Sequence, residues 1–328
     1  MRTPRQTYKS LFTSPYCGRC AFAVVILIWV GVFAWTLSRH TWTGPTVQLL
    51  RGKSARSALA NEASGFNKDP REATHLIIVP GHAALRVSML STAAYSDESW
   101  YLLSYQRNQA FPKIVSSHIK KGIELLDRDM ASLLVFSGGQ TRKDVGPISE
   151  AASYYYLVQY NNWASQTDLT TRIFLEEYAR DSLENLMFSI CRFREVTGTY
   201  PQHITVVGFD FKENRFTTLH RSALAYPAGN FTYVGLGSPS KFNQMNAVTG
   251  EQQAISAFQQ DPYGCHDPAL ANKRSIRDPF HRGTPYDVTC PEMLKLLHWC
   301  DANVIPQTNV PWGDNSQLAI AESTVGTL

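Results

Sequence analysis

Short apolar runs, each followed directly by a small polar turn, recur four times along the chain. Each run is rich in β-branched residues and most precede a helical pattern, which is typical of buried parallel strands and their crossover helices. The runs and their turns cover residues 75–78 with 79–82, 133–136 with 137–141, 173–177 with 181–185, and 204–207 with 208–210. We therefore predict an α/β domain with a mainly parallel sheet and a ligand site at the carboxyl ends of its strands.

Amphipathic spacing and end signals predict the helices around these strands. Asp181 is placed as a helix N-cap with Glu184 in the capping-box position, and Gly198 ends that helix. Pro147 is placed in the first turn of the preceding helix, which runs to Tyr160. A fifth strand is predicted over residues 232–236. The other predicted helices span residues 112–127, 214–226, 250–258 and 291–300.

Residues 21–37 are uncharged and mostly apolar, and Arg19 and Arg39 flank them. Their length is at the lower limit for a helix that spans a bilayer. A cleaved signal peptide would have a shorter apolar run and a small-residue cleavage site, so we expect a retained anchor. The basic residues before it favour a cytosolic N-terminus, which makes this a single-pass type II protein with a lumenal domain in the endoplasmic reticulum or Golgi. The acid-free N-terminus also resembles a mitochondrial transit segment, which is the alternative location.

The anchor divides the chain into five predicted parts. They are a cytosolic tail (1–20), the anchor (21–37), a polar stem (38–72), the α/β domain (73–260) and an extension that packs on it (261–328), with a loosely ordered end. The sequence Asn230-Phe231-Thr232 is a glycosylation sequon and agrees with a lumenal domain.

Charge is distributed unevenly along the 328 residues. The chain has a formal net charge of +4, but eight of its basic side chains and none of its acidic ones lie in residues 1–61. The remainder therefore holds 23 basic against 27 acidic side chains. This balance gives no support for a nucleic-acid-binding surface, so no nucleic-acid partner is predicted.

The cysteines beyond the anchor separate into two groups. Cys191 lies within a predicted amphipathic helix and is expected to be a small buried residue. Cys265, Cys290 and Cys300 lie in the C-terminal extension, where a lumenal location predicts one disulfide of undetermined pairing. The alternative is a zinc site that combines these thiols with nearby histidines, although the spacings match no standard zinc site.

The turn Ser137-Gly138-Gly139 follows a predicted strand and is a candidate anion cradle. Small residues at such a turn leave backbone N–H groups open to a phosphate or carboxylate. The chain lacks the Gly-x-Gly-x-x-Gly, Walker, Gly-x-Ser-x-Gly and His-Glu-x-x-His motifs. These absences argue against dinucleotide oxidoreductases, P-loop hydrolases, standard serine esterases and zincins.

Several carboxylates lie at predicted strand ends and helix starts. Glu150, Glu176, Glu177, Asp181 and Glu184 could act in proton transfer or bind a divalent cation, whereas the alternative for most of them is stabilisation of a helix N-terminus. His82 follows Gly81 at a strand end, where it is either an acid–base group or a turn residue.

Basic residues near the last predicted strands are candidate anion contacts. Arg215 suits a bidentate contact, and Asp210 precedes it in the same segment. The cluster at residues 273–277 is either a solvated loop or a segment that folds over the strand edge and neutralises an anion.

Together these motifs resemble the DUF218 family of YdcF-, SanA- and ElyC-like proteins, in particular its fungal membrane-anchored branch. The resemblance covers residues 75–236 and implies a Rossmann-like three-layer sandwich, with links to S-adenosylmethionine binding or envelope functions. Ala179, Asp181-Ser182 and Lys212 stand where the family usually has Ser, Asn-Thr and His. The segments that carry the resemblance are Ser137-Gly138-Gly139-Gln140, Ser149-Glu150, Glu176-Glu177, Asp181 to Asn185, and residues 206–215.

The leading hypothesis is a membrane-anchored enzyme that acts on a phosphate-bearing or otherwise anionic small molecule. The alternatives are a noncatalytic binding module for a nucleotide or S-adenosylmethionine-like ligand, and a tethered scaffold. No cofactor, metal or protein partner is assigned. Glu150, Glu184 and His82 are the catalytic candidates. The ligand-binding candidates are Gly81, Ser137, Gly138, Gly139, Ser149, Glu177, Asp181, Asn185, Asp210 and Arg215.

Overall fold

The computed structural model describes residues 69–165, 167–237 and 244–313, which all belong to the unit Ala63–Leu328. The predicted anchor, the cytosolic tail, nearly all of the stem and the end of the C-terminal extension lie outside the described residues. Within the described part of the chain, no helix has both the length and the apolar content needed to cross a bilayer.

A five-stranded parallel sheet forms the centre of the fold, with the order β3-β2-β1-β4-β5. All five strands were predicted from the sequence, to within two residues at either end. The inner strands read as unbroken apolar runs because helices cover both faces of the sheet. The strands are β1 His75–Pro80, β2 Ser132–Ser137, β3 Ile173–Glu176, β4 His203–Gly208 and β5 Phe231–Gly235.

Helices flank the sheet on both faces. Short 3-10 turns connect β1 to the first helix, at Val87–Thr92, Asp97–Ser99 and Ser104–Gln106. A π-helix, Arg215–His220, directly precedes the fifth α-helix. The α-helices are α1 Phe111–Arg128, α2 Glu150–Asn161, α3 Thr167–Thr171, α4 Ser182–Thr197, α5 Arg221–Ala223, α6 Gln244–Gln260, α7 Pro268–Ile276, α8 Tyr286–Thr289 and α9 Leu294–Leu297.

Two hydrophobic cores lie on opposite faces of the sheet and make a Rossmann-like three-layer sandwich. Alternate strand residues enter each core, as the period of two in a strand requires. Ile77 and Val79 pack with α1 and α2, whereas Leu76 and Ile78 pack with α4. The second core also contains buried side chains of the C-terminal extension, such as Met293. The extension therefore packs on the α4 face.

Several predicted helix limits differ from those in the structure. Helix α2 begins at Glu150, after Pro147, because the Ser149 hydroxyl accepts the Ala152 N–H at 2.9 Å and caps the helix. The helix predicted over 214–226 is a π-helix followed by α5, and the one predicted over 250–258 begins at 244. The helix predicted over 291–300 is a 3-10 turn, Pro291–Met293, followed by α9.

The basic cluster at 273–277 is not a solvated loop, because most of it belongs to helix α7. Asp267 accepts the N–H groups of Ala269 and Leu270, both at 2.9 Å, and Pro268 occupies the first helical position. An acidic N-cap followed by proline is a strong helix start signal. The sequence prediction missed it because the following residues show little amphipathic periodicity.

One disulfide joins Cys265 to Cys300, which confirms the prediction of a single bridge among the three C-terminal cysteines. Cys191 and Cys290 are free and buried, as predicted for Cys191. In the part of the chain that the structure describes, no three His, Cys, Asp or Glu side chains are grouped as ligands of a metal ion.

We expect the double substitution of Cys265 and Cys300 by serine to lower the free energy of unfolding by about 2–4 kcal/mol, because the bridge closes a long loop in the unfolded chain. Urea unfolding under oxidising conditions measures the loss. Wild-type protein unfolded with a reductant is the control and should lose a similar amount. Equal stability of the oxidised wild type and the variant would contradict the assignment.

Candidate functional site

A cavity of about 490 Å³ lies at the carboxyl ends of the strands. The turns after β1, β2, β3 and β4 contribute to its wall through Gly81, Thr141, Asp181 and Phe209. Helices α6 and α7 add further parts of the wall through Glu251 and Lys273. This is the edge of the sheet at which the sequence places the ligand site.

Three cations in the cavity wall have no carboxylate partner in the part of the chain that the structure describes. Lys212 follows β4, and Lys273 and Arg277 lie at the end of α7. Among the described residues, none of the three lies within 4.0 Å of a carboxylate oxygen. Burial, together with repulsion from neighbouring arginines, lowers the pKa of Lys212 to about 7 and the pKa of Lys273 to about 8. The wall is therefore a region of uncompensated positive charge.

Arg215, in contrast, is fully engaged by protein groups. Its Nε and Nη2 each lie 2.8 Å from an oxygen of Glu251 on α6, and both side chains are buried. Its Nη1 donates to the hydroxyl of Ser182 at 2.9 Å. The bidentate contact expected between Arg215 and an anionic ligand is therefore taken by Glu251, although Arg215 lines the cavity.

Asp181 and Glu184 are held by two arginines. The Asp181 carboxylate accepts the N–H groups of Leu183 and Glu184 at 3.0 Å, so it is the predicted N-cap of α4. Burial favours a raised pKa for Asp181, but Arg274, 2.7 Å away, lowers it to about 2. Glu184 pairs with Arg180 at 2.6 Å and Arg274 at 3.4 Å. Glu184 does not line the cavity and is poorly placed as an acid–base group.

The backbone N–H groups of the turn after β2 are engaged in hydrogen bonds within the fold. Gly138 N–H donates to the Glu176 carbonyl at 3.0 Å and Gly139 N–H to the Ala179 carbonyl at 2.7 Å. Neither N–H group is available as the expected anion cradle. Ser137 donates to the Glu176 carboxylate at 2.5 Å. Burial raises the pKa of Glu176 to about 7, although Ser137 and two backbone N–H groups lower it in part.

Three further candidates also lie off the cavity wall. Ser149 donates to the Glu177 carboxylate at 2.6 Å and thereby joins α2 to the loop after β3. Asp210 accepts the N–H of Phe211 at 2.7 Å. Asn185, by contrast, reaches the cavity from α4.

Glu150 is a buried carboxylate of the cavity wall that has no arginine partner among the described residues. It is the first residue of α2, and its Oε1 accepts the hydroxyl of Thr141 at 2.6 Å. A Cβ atom at Gly81 would lie 2.6 Å from the Glu150 Cβ, and one at Gly138 would lie 2.9 Å from it. The two glycines therefore allow the start of α2 to approach the ends of β1 and β2.

His82 lies in the cavity wall beside Lys212. The His82 Nδ1 is 3.5 Å from the Lys212 Nζ, and its buried Nε2 has no hydrogen-bond partner among the described residues. Burial and the charge of Lys212 lower the pKa of His82 well below 6.5, so the ring is neutral at pH 7. A neutral imidazole can accept a proton or hydrogen-bond a ligand.

An aromatic surface forms another part of the wall, from Tyr105, Phe111, Phe209 and Phe211. The ring centroids of Phe209 and Phe211 lie 5.3 Å apart, and those of Phe209 and Phe111 lie 6.4 Å apart. The sequence analysis selected neither these rings nor Lys212 as ligand contacts. Lys273 and Arg277 belong to the basic cluster at 273–277, for which it left two alternatives open. The alternative that placed the 273–277 cluster over the strand edge agrees with the position of α7.

The fold and this cavity define a Rossmann-like α/β protein with a charged cavity at its strand ends. No family model matches the chain, and no solved structure matches it. The chain is 33% identical to "Uncharacterized protein YOR238W" of Saccharomyces cerevisiae over 284 residues, which cover 69% of this chain and 91% of the yeast protein. The chain belongs to the family of this yeast protein.

We expect Gly81→Ala to destabilise the protein by about 1–3 kcal/mol, because the added methyl group overlaps Glu150 and overpacks the site. Thermal or urea unfolding measures the change. Gly229→Ala is the matched control, since a Cβ there meets nothing within 4 Å. Equal stability of the two variants would show that Glu150 does not approach Gly81 as described.

Proposed function

We propose that this chain is a DUF218-like, membrane-anchored enzyme that acts on a phosphate-bearing or otherwise anionic small molecule bound in the cavity. The observation that carries the proposal is the set of three cations, Lys212, Lys273 and Arg277, which have no carboxylate partner among the described residues and lie in a half-buried wall. Partly desolvated ammonium groups are costly unless an anion compensates them. Charge-assisted hydrogen bonds to a bound anion supply that compensation.

The remaining wall limits what else the ligand contains. Phe209, Phe211 and Tyr105 offer ring faces and edges next to the cations. Specific pockets usually combine such an apolar surface with a few convergent polar groups that fix orientation. A phosphate ester with a planar or apolar portion matches both parts of the wall. A retained anchor at residues 21–37 suits a substrate that is itself membrane-associated.

The chemistry rests on Glu150 and His82, since Glu184 is paired with two arginines. Both line the cavity, and both can accept a proton if they lie within hydrogen-bond reach of the reacting group. The matches to the DUF218 motifs support this arrangement, because Glu150, Asn185 and Arg215 all reach the same cavity from distant parts of the chain.

A noncatalytic binding module is the second candidate, and the pairing of Glu184 favours it. Only one buried carboxylate of the cavity wall, Glu150, is free of an arginine partner among the described residues. A module of this kind predicts binding of an anionic ligand with no turnover. A tethered scaffold predicts neither.

We expect Lys212→Met to weaken anion binding by about 10- to 100-fold, the value of one hydrogen bond to a charged group. Thermal shifts of the full-length protein with sulfate, sugar phosphates and nucleotides measure the affinity. Lys212→Arg should retain most of it, and Lys295→Met, which removes an exposed lysine outside the cavity wall, should not change it. Unchanged affinity in Lys212→Met would overturn the proposed anion site.

The affinity for sulfate should also fall as the pH rises from 7 to 9. Lys212 and Lys273 lose their protons in this range, because burial places their pKa values at about 7 and about 8. Sulfate keeps its charge throughout, so the change reports the protein. Lys212→Met should show a shallower pH dependence than the wild type. A flat profile in the wild type would argue against both lysines as contacts.

We expect Glu150→Gln to lower turnover by about 10²- to 10⁴-fold, the usual contribution of an acid–base group, with affinity changed only slightly. The substrate for the assay is the compound that stabilises the protein most in the thermal-shift panel. Glutamine keeps an oxygen for the Thr141 hydroxyl, so the fold is preserved. Full turnover in this variant would exclude Glu150 as the acid–base group, and binding without turnover in the wild type would select the noncatalytic module.

A further inference from the structure

Asn230 lies at the amino end of the edge strand β5, away from the cavity. It closes the 3-10 turn Ala228–Asn230, where its N–H donates to the Pro227 carbonyl at 3.2 Å. Asn230 and Thr232 are exposed, and the half-buried Phe231 between them begins the strand. The two residues of the sequon that the glycosylation reaction recognises therefore face solvent in the folded protein.

The side chains of this segment are free to accept a bulky substituent. The Asn230 side chain makes no hydrogen bond to another described residue, and the Thr232 hydroxyl contacts only the His203 Nε2, at 3.0 Å. A substituent on the Asn230 Nδ2 would thus break no hydrogen bond between the described residues. It would also meet no partner strand, because β5 pairs only with β4 in the described sheet.

The disulfide between Cys265 and Cys300 is an independent indication of the compartment. Such bridges persist in oxidising locations and are rare in the cytosol. The endoplasmic reticulum lumen is the location where both disulfide formation and transfer of oligosaccharides to asparagine take place. A mitochondrial location, the alternative from the sequence, would provide no N-linked glycan.

From these observations we infer that Asn230 is a modification site that carries an N-linked oligosaccharide. In the transfer, the Asn230 Nδ2 bonds to C1 of an oligosaccharide on a lipid diphosphate donor. The bond between C1 and the phosphate oxygen breaks, its electron pair leaves with the lipid diphosphate, and the amide nitrogen gives up one proton. The inference does not rest on the proposed function.

The position of the glycan has a physical consequence for the sheet. Edge strands expose unpaired N–H and C=O groups that can pair with another chain, and folded proteins cover or charge such edges. A glycan at the first residue before β5 shields this edge at its amino end. The cavity lies at the carboxyl end of the sheet, about five residues or roughly 16 Å further along, so ligand binding is not obstructed.

The test is expression of the full-length chain in a eukaryotic cell, followed by digestion with peptide N-glycosidase. We expect the enzyme to increase the gel mobility of the wild type and to leave a deamidated asparagine at position 230, detected by peptide mass. Asn230→Gln and Thr232→Ala should abolish the shift. Thr232→Ser keeps the sequon and a hydroxyl for His203, and it should retain the shift.

Folding is checked separately by the Cys265–Cys300 bridge, which maleimide labelling reports in each variant. The variants should form it as the wild type does, since the Asn230 side chain makes no hydrogen bond to another described residue and the His203 contact of Thr232 is exposed. A wild type with an oxidised bridge and no glycosidase shift overturns the inference, and so does a shift that persists in Asn230→Gln. Neither result bears on anion binding in the cavity, which the Lys212 variants test.

Discussion

The ion pairs between Arg274 and the start of α4 are the constraint on which the site depends. Arg274 lies 2.7 Å from Asp181 and 3.4 Å from Glu184, and the three side chains are largely buried. Removing one partner of such a pair leaves a buried charge without compensation and costs about 3–5 kcal/mol. The pairs fix α7 over the strand ends, and α7 in turn brings Lys273 and Arg277 to the cavity.

The electrostatics of the cavity wall separate structural charges from charges that face the ligand. Arg215 with Glu251 and Arg274 with Asp181 are closed pairs that contribute shape and rigidity. In the described part of the chain, Lys212 and its neighbours on α7 have no such partner, and burial lowers the pKa of Lys212 to about 7. Burial, together with the charge of Lys212, lowers the pKa of the adjacent His82 imidazole well below 6.5 and keeps the ring neutral. The positive charge of the cavity wall is therefore concentrated at Lys212, Lys273 and Arg277, whereas Arg215 and Arg274 are neutralised by their carboxylate partners.

The sheet was predictable from the sequence, whereas most of the cavity wall was not. Unbroken β-branched runs identify strands such as β2, because a sheet covered on both faces leaves no polar alternation. Glu150 and His82 line the cavity at the strand ends because they directly follow a strand or open a helix. The sequence could not show that the Gly138 N–H is unavailable to a ligand. This N–H donates to the Glu176 carbonyl, which only folding brings close. Lys273 was ambiguous because it lies far along the chain and joins the site through tertiary ion pairs.

The disulfide links the assembly of the wall to the redox state of the protein. Cys265 and Cys300 enclose the whole of α7, so oxidation shortens the segment that must be ordered when that helix docks. A covalent bridge lowers the conformational entropy of the unfolded chain, so the entropic cost of closing this loop is met before the helix docks. When the bridge is reduced, docking of α7 must itself overcome the entropic cost of loop closure. Reduction therefore weakens the docking that the ion pair between Arg274 and Asp181 maintains. Oxidation of the bridge thus favours completion of the positively charged wall.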